Sequence, residues 1–598
     1  MPSEVDPLLP RNPPAPEIVG YGFSAAQSGG LQEVEYGDTE GLKSDATGGD
    51  DGSNYAYGDH SIKEEGVRRN GDHDGATTTL PEGVWYAAKE NGRGYNDEDG
   101  RESDNAARSA AMSQIIAIFA FVVALSIVIT AVMPGGLRGG KEGQWDPSPI
   151  PVPDHGSLSI PERAVRILTH TPLFDGHNDL AIFIREKYQN KIHTSEFKSK
   201  FENGGMEEHV DIPRLKKGHV GGAFWSSFVP CPVNASYDFS DSVYSGAVSS
   251  TLSQIDLLRS LQAQYPSTFT PATTSLGSAL TAFHANQSIL GPLSIEGLHQ
   301  IPPSAPLSTL RLYYSLGVRA ATLTWNCHNV AADAALISDF DPVTGEFTTV
   351  VAPQTSRNGL SPVGRRVIKE MNRLGMLVDL SHTSYWTQIA VLSNNTSRSP
   401  VIYSHSSAFS VCPHPRNVHD DALELVRKTE SLVMINFSPG FVSCLPPDDP
   451  MQLPPFYEAN NTIEHVVDHI MYIGENVGYD HVGLGSDYDG EQHFNFPSSN
   501  MFSIVRFIIR HHPSPVPTLK LTLCFLGMGE PPEGLHDVSK FPRLVEILLE
   551  RNVSDHDVSK IVGGNLIRVW KQAEEVKRKM QEEGVEEEED DIPKWGPP

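Results

Sequence analysis

The sequence predicts an α/β chain whose central part, residues 161–572, is a parallel (β/α)8 barrel with a two-metal site at its mouth. Three observations predict it. Short apolar runs alternate eight times with stretches of helical spacing. Residues of metal-ligand type follow five of those runs. No Gly-rich phosphate loop follows the first run, which places a doubly wound open sheet second.

The runs come in this order. Leu173-Phe174 leads into Asp175-Gly176-His177-Asn178-Asp179; then come Gly222–Phe228, Gly291–Ile295 and Ala320–Thr324. Met376–Leu380, Val401–Ser404, Leu432–Phe437 and His481–Gly485 complete the eight. Helical spacing fills Pro362–Arg373, Ser384–Leu392 and Ile463–Asn476 between them.

The polar residues behind the runs carry the chemistry. His177 and Asp179 stand two apart, so on a strand both face one side. The third run ends in Glu296, the fifth in His382, the sixth in His405, and the eighth in Asp487. In a barrel these C-terminal strand ends meet at one mouth. Imidazole and carboxylate without thiolate suit zinc or a similar catalytic cation. The set is too large for one tetrahedral ion and fits two ions bridged by a carboxylate.

The flanks read differently. Net charge is −29, which argues against nucleic acid as a partner. Residues 1–111 are acidic and poor in large apolar side chains, and are expected to be a disordered cytosolic tail. Met112–Met133 encloses an uncharged apolar run, Ile115–Val132, long enough to cross a bilayer as one helix. It stands too far from Met1 for a cleaved signal. A Pro/Gly-rich linker, 134–160, follows, and 573–598 is expected to be a second acidic, disordered tail. Arg93, Arg101 and Arg108 precede the span, and the sequons at Asn234, Asn286, Asn395, Asn460 and Asn552 follow it. Together they predict a type II glycoprotein whose barrel is lumenal or extracellular. Glu4-Val5-Asp6-Pro7-Leu8-Leu9 has the form of a dileucine sorting signal toward an endomembrane or vacuolar compartment. The five cysteines, Cys231, Cys327, Cys412, Cys444 and Cys524, contain no CxxC pair, and four of them suffice for two disulfides.

At this point the chain resembles the membrane (renal) dipeptidase family of zinc peptidases, from about Arg163 to Trp570. The motifs that carry the resemblance begin with Asp175–Asp179, Asp211–Leu215, Gly221–Trp225, Ser294–Gly297 and Leu377–His382. Tyr403–Cys412, Arg416–Val418, Gly485–Gly490 and Gly534–Pro542 follow in the family's order. The resemblance implies two Zn2+ ions per chain. One would be held by His177, Asp179 and Glu296, the other by Glu296, His382 and His405, with Glu296 bridging and a hydroxide between the ions attacking the peptide carbonyl. It also implies that Asp487 handles the substrate amine and the proton for the leaving nitrogen, and that Arg416 takes the free carboxylate. Cys231 with Cys327 and Cys412 with Cys444 would be its two disulfides. Expected partners are an L-dipeptide, the membrane through one helix, and a second copy of the chain as a homodimer.

Two places depart from the family. Trp325 stands where a histidine that contacts the substrate carbonyl is usual, and His328, three residues on, is the candidate to replace it. An atypical insert, 492–529, follows Asp487-Tyr488-Asp489-Gly490. It reads as an active-site lid or as a translated intron, and its broken patterning favours the intron. Two other functions therefore stay open: a catalytically impaired relative kept for binding or sorting, and a metal-dependent amidohydrolase acting on another amide.

Overall fold

The computed structural model describes residues 158–341, 346–393, 396–490 and 531–592. Ten strands are seen among them: β1 (Leu173–Asn178), β2 (Val220–Ser226), β3 (Leu293–Glu296), β4 (Val318–Thr322), β5 (Leu336–Asp341), β6 (Glu346–Val351), β7 (Leu377–Asp379), β8 (Ile402–Tyr403), β9 (Leu432–Ile435) and β10 (Val482–Leu484). Eight of them close a barrel in the order β1-β2-β3-β4-β7-β8-β9-β10, and β10 pairs back onto β1. Every pairing in the barrel is parallel. All eight expected runs are barrel strands.

The strands stay short because each apolar run ends where its polar residues begin. Helices return the chain between them and carry sequence-encoded ends. Ser361 caps the helix Pro362–Leu374 by accepting from Gly364 N at 3.0 Å, and Gly375 ends it in the left-handed region at φ 73°. Thr462 caps Ile463–Val477 in the same way. Near the N-terminal ends of the strands Phe174, Phe224, Leu377, Ile402 and Leu432 form one apolar cluster with Leu566 and Trp570 of the helix Asn565–Glu582. Ring centroids are 5.1 Å apart for Phe174–Phe224 and 5.7 Å for Phe224–Trp570. That end of the barrel is filled with apolar side chains, each contributing about 1.5–3 kcal/mol by burial, so the polar residues gather at the other end.

Two features were not anticipated. β5 and β6 form an antiparallel hairpin between β4 and the helix Pro362–Leu374. Its root is tied to the loop after β7 and to the loop after β4, since Ala335 N donates to His382 O at 2.7 Å and Ser338 N to Asn326 O at 2.8 Å.

The second is a correction. Residues 573–592 are not a disordered tail. The helix Asn565–Glu582 runs through the start of the acidic stretch, and the rest docks as a strap. Arg398 reaches Glu583 at 2.8 Å, Arg366 and Lys369 pair with Glu588, and Glu588 N donates to Glu370 Oε2 at 3.2 Å. The two Asp590 oxygens accept from Leu307 N and Ser308 N, both at 2.8 Å, in the first turn of the helix Pro306–Leu316. Acidity alone predicts solvation. Here it is matched by cations scattered through the barrel sequence and by a helix N-terminus whose amides lack acceptors.

No helix among the described residues is long and apolar enough to cross a membrane. The expected tail 1–111, the span Met112–Met133 and the insert 492–529 lie outside the described residues.

Candidate metal centre

Each expected ligand sits at or just past the C-terminal end of a barrel strand. His177 lies in β1, and the strand ends at Asn178, so Asp179 is the first residue of the turn into the helix Leu180–Tyr188. The two still converge, with His177 Nε2 3.2 Å from Asp179 Oδ2. Glu296 ends β3, His382 comes three residues after β7, His405 two after β8 and Asp487 three after β10. His382 and Asp487 both adopt left-handed backbone at φ 65°, an uncommon conformation that His and Asp enter more readily than most residues.

Glu296 stands between two imidazole groups. Its Oε2 is 3.4 Å from His177 Nε2. Its Oε1 is 2.8 Å from His382 Nε2 and 3.4 Å from His405 Nε2. Two overlapping groups result, His177/Asp179/Glu296 and Glu296/His382/His405, each with ligand atoms within 4.8 Å of one another. A further group joins His177, His405 and Asp487. Cys231, Cys327 and His299 also cluster, but these sulfurs bond each other in one of the two disulfides, Cys231–Cys327 and Cys412–Cys444.

These donors fit a divalent cation. Asp179 Oδ1 is buried and meets no hydrogen-bond donor. The Nε2 atoms of His382 and His405 face each other at 2.9 Å, which suits two lone pairs only with a positive charge between or beside them. Burial first, and then Arg416 and His177, hold both imidazoles well below the usual histidine range, so both are neutral donors. Burial opposes charge on His177 too, but the Asp179 and Glu296 carboxylates outweigh it and raise its pKa. Burial, with Asp179 and Asp487 adding to it and His177 opposing, pushes Glu296 up to about 8. Burial likewise raises Asp487 to about 6. Carboxylates crowded in a dry pocket hold protons unless a cation replaces them.

One family model matches this chain, described as membrane dipeptidase (peptidase family M19), over residues 161–502 and 520–584. The chain belongs to this family. Family M19 is a metallopeptidase family, so the centre described above belongs to a metallo-dipeptidase. The dipeptidase AclJ of Aspergillus oryzae is 39% identical over 416 residues, covering 69% of this chain and 81% of that protein. An uncharacterized dipeptidase of Schizosaccharomyces pombe is 40% identical over 435 residues, covering 72% and 88%. Among solved structures, the probable dipeptidase PvdM from Pseudomonas aeruginosa superposes with a TM-score of 0.51 at 18% identity, over 70% of this chain and 99% of that one, a likeness of fold.

The remaining site residues divide. In this family member Arg416 is buried, with Nη2 3.4 Å from His405 O, Nε unpaired, and Cζ 4.9 Å from the Phe441 ring centre. Burial lowers its pKa to about 10, against the pull of Asp487 and Glu296, so it remains a cation with donors to spare. Asp487 Oδ2 accepts from Asn436 Nδ2 at 3.1 Å. Trp325 packs against Phe228 at 4.9 Å and lies 6.2 Å from the His382 ring. His328 faces elsewhere: its Nδ1 accepts from Ala334 N at 3.0 Å and lies 3.8 Å from Asp333 Oδ1. The structure thus brings Trp325, and not His328, to the ligand cluster. Asn436 and Asn326 are not among the residues expected at the site, and Gly490 closes the motif Gly485–Gly490 without an expected role. Asn436 had a signal, being the polar residue that breaks the apolar run Leu432–Phe437.

Proposed function

We propose that this chain is a membrane-anchored, zinc-dependent dipeptidase that hydrolyses L-dipeptides with two zinc ions. His177, Asp179 and Glu296 would hold one ion, and Glu296, His382 and His405 the other. When bound, the two ions supply an acidified water and polarise the scissile carbonyl. The observation that carries this reading is the division of the Glu296 oxygens, one toward His177 and one toward His382 and His405.

The protein's own groups then set the substrate. Arg416, buried and underused, offers a guanidinium fork for the free carboxylate of the second residue. Asn436 occupies Asp487 Oδ2, so Asp487 Oδ1 is left for the substrate's ammonium and for the proton that the leaving nitrogen needs. Charged groups for both ends of the substrate restrict it to two residues. Trp325 forms a wall beside His382 and narrows the space for the first side chain.

The anchor is Met112–Met133. Asn234, Asn286, Asn460 and Asn552 are exposed, and two disulfides suit an oxidising compartment, both of which support a lumenal or extracellular barrel. Glu4-Val5-Asp6-Pro7-Leu8-Leu9 would direct it to an endomembrane or vacuolar compartment.

Metal analysis with a dipeptide assay tests the core of this reading. The expected result is two zinc ions per chain and hydrolysis of a simple L-dipeptide that stops on chelation and returns with zinc. Undiminished hydrolysis after exhaustive chelation refutes it. Glycosidase treatment of membranes tests the topology: an unchanged mobility, with the barrel open to protease from the cytosolic side, reverses the orientation.

A further inference from the structure

We infer that Asp379 and Ser404 form a hydrogen-bond relay that fixes His405 in the one tautomer able to bind metal through Nε2, an assignment that rests on the two-zinc reading above. Asp379 is the last residue of β7 and is buried. Its Oδ1 accepts from Ser381 N at 3.0 Å and from Ser404 N at 2.9 Å. Its Oδ2 accepts from the Thr322 hydroxyl at 2.7 Å and the Ser404 hydroxyl at 2.5 Å. A carboxylate only accepts, and a serine hydroxyl has one proton to give. The Ser404 proton is therefore committed to Asp379.

Ser404 Oγ also lies 2.8 Å from His405 Nδ1. With its proton spent, the oxygen can only accept, so Nδ1 carries the hydrogen and Nε2 keeps its lone pair. That lone pair looks toward His382 Nε2 at 2.9 Å and Glu296 Oε1 at 3.4 Å. The direction is enforced here in a way it is not at His382. There the partner of Nδ1 is the Asn326 amide oxygen at 2.9 Å, and rotation of that amide exchanges acceptor for donor.

The relay also has no slack. A Cβ on Gly176 would lie 2.2 Å from the Ser404 carbonyl oxygen, and one on Gly485 would lie 1.8 Å from it. Two glycines on neighbouring strand ends thus press against this carbonyl and hold the serine in register. Ser404 is 2% exposed, so its hydroxyl is shielded from bulk water. Asp379 and Ser404 touch no substrate; they are positioning residues for the Glu296/His382/His405 site. Outer partners of this kind typically contribute 10–100-fold in metal affinity.

The test uses the whole protein, stripped by chelation and titrated with zinc chloride against a chromophoric chelator. Ser404→Ala should weaken one of the two ions about 10–100-fold and leave the other within about twofold. Asp379→Asn should weaken the same ion at least as much, because its amide donates to Ser404 Oγ, turns the hydroxyl toward Nδ1 and drives the ring proton to Nε2. Nitrogen-15 shifts of His405 in the stripped wild type should show the Nδ1–H tautomer, a signature that mere structural support would not dictate. Two full-affinity ions in both variants, or an Nε2–H tautomer in the stripped wild type, overturns the relay. Should the variants fail to fold, the wild-type tautomer alone decides. A wild type that shows the Nδ1–H tautomer but binds no pair of zinc ions sinks the metal reading, and with it the relay's purpose, while leaving its geometry standing.

Discussion

Gly490→Ala probes the site with a single methyl group. A Cβ at this position would lie 2.8 Å from Asp487 Oδ1 and 3.1 Å from Asp179 Oδ2, where ordinary contact begins at 3.4 Å. The shortfall is about 0.6 Å on one carboxylate and about 0.3 Å on the other. Neither can yield freely. Asp487 is held by Asn436 at 3.1 Å, and Asp179 Oδ2 stands 3.2 Å from His177 Nε2. A misplacement of about 1 Å in a catalytic constellation costs about 10²-fold, so a shift of roughly half that should lower kcat/KM about 10-fold or more. No apolar core contact is lost, but the Cβ would also lie 3.0 Å from the Asp487 carbonyl oxygen, so the turn must give and the melting temperature should fall modestly. The assay is steady-state hydrolysis of a simple L-dipeptide, with zinc content and a thermal melt measured on the same sample. Activity within twofold of wild type would show that the two carboxylates do not need the placement described.

Three more outcomes follow from the same geometry. Glu296→Gln should lower zinc content and abolish hydrolysis, because one bridging carboxylate serves both ligand groups; full activity with two ions retained would move the bridge to another residue. Trp325→His should raise kcat more than it changes KM, with zinc content unaltered, since a donor to a developing oxyanion is typically worth about 10²–10³ in kcat; unchanged kinetics would mean that another donor already serves. Glu370 concerns stability against pH. Burial opposes its ionisation, but Arg373 and Arg311 outweigh burial and hold its pKa below the ordinary value. A depressed carboxylate stabilises the fold above its unfolded pKa, about 4.3, and loses that contribution as pH falls through the folded value. Glu370→Gln should therefore melt lower than wild type at neutral pH, and the gap should close below about pH 4; a gap constant down to pH 3 would count against the linkage.

The barrel and its ligands were legible because barrel chemistry is written locally. Each ligand follows an apolar run within a few residues, so run and polar residue are read together, as with Leu173-Phe174 and His177. What was not legible depends on which strands become neighbours. Asp379 and Ser404 both fall inside recognised motifs, yet their bond exists only because β7 pairs with β8. The direction of His328 was hidden for a similar reason. Its position near Trp325 in sequence says nothing of the loop at Ala334 that claims its ring. The β5–β6 hairpin is not legible in the strand–helix alternation because it is an antiparallel pair inserted between β4 and the helix Pro362–Leu374, where the alternation calls only for a helix. The acidic end was misread because its partners, Arg366, Lys369 and Arg398, lie some two hundred residues earlier.

That acidic end separates kinship from mechanics. Likeness to the family stops at residue 584, but the strap goes on to Asp590, whose oxygens hold the two amides at the head of the helix Pro306–Leu316. This helix is reached from β3 by the turn that starts immediately after Glu296. A chain ended at residue 584 would keep every position that the family model matches. It would still lose the grip on that helix and strand Arg366 and Lys369 without their counter-charges. The last acidic residues are thus part of how the loop behind Glu296 is held, although they lie almost three hundred positions further along the chain.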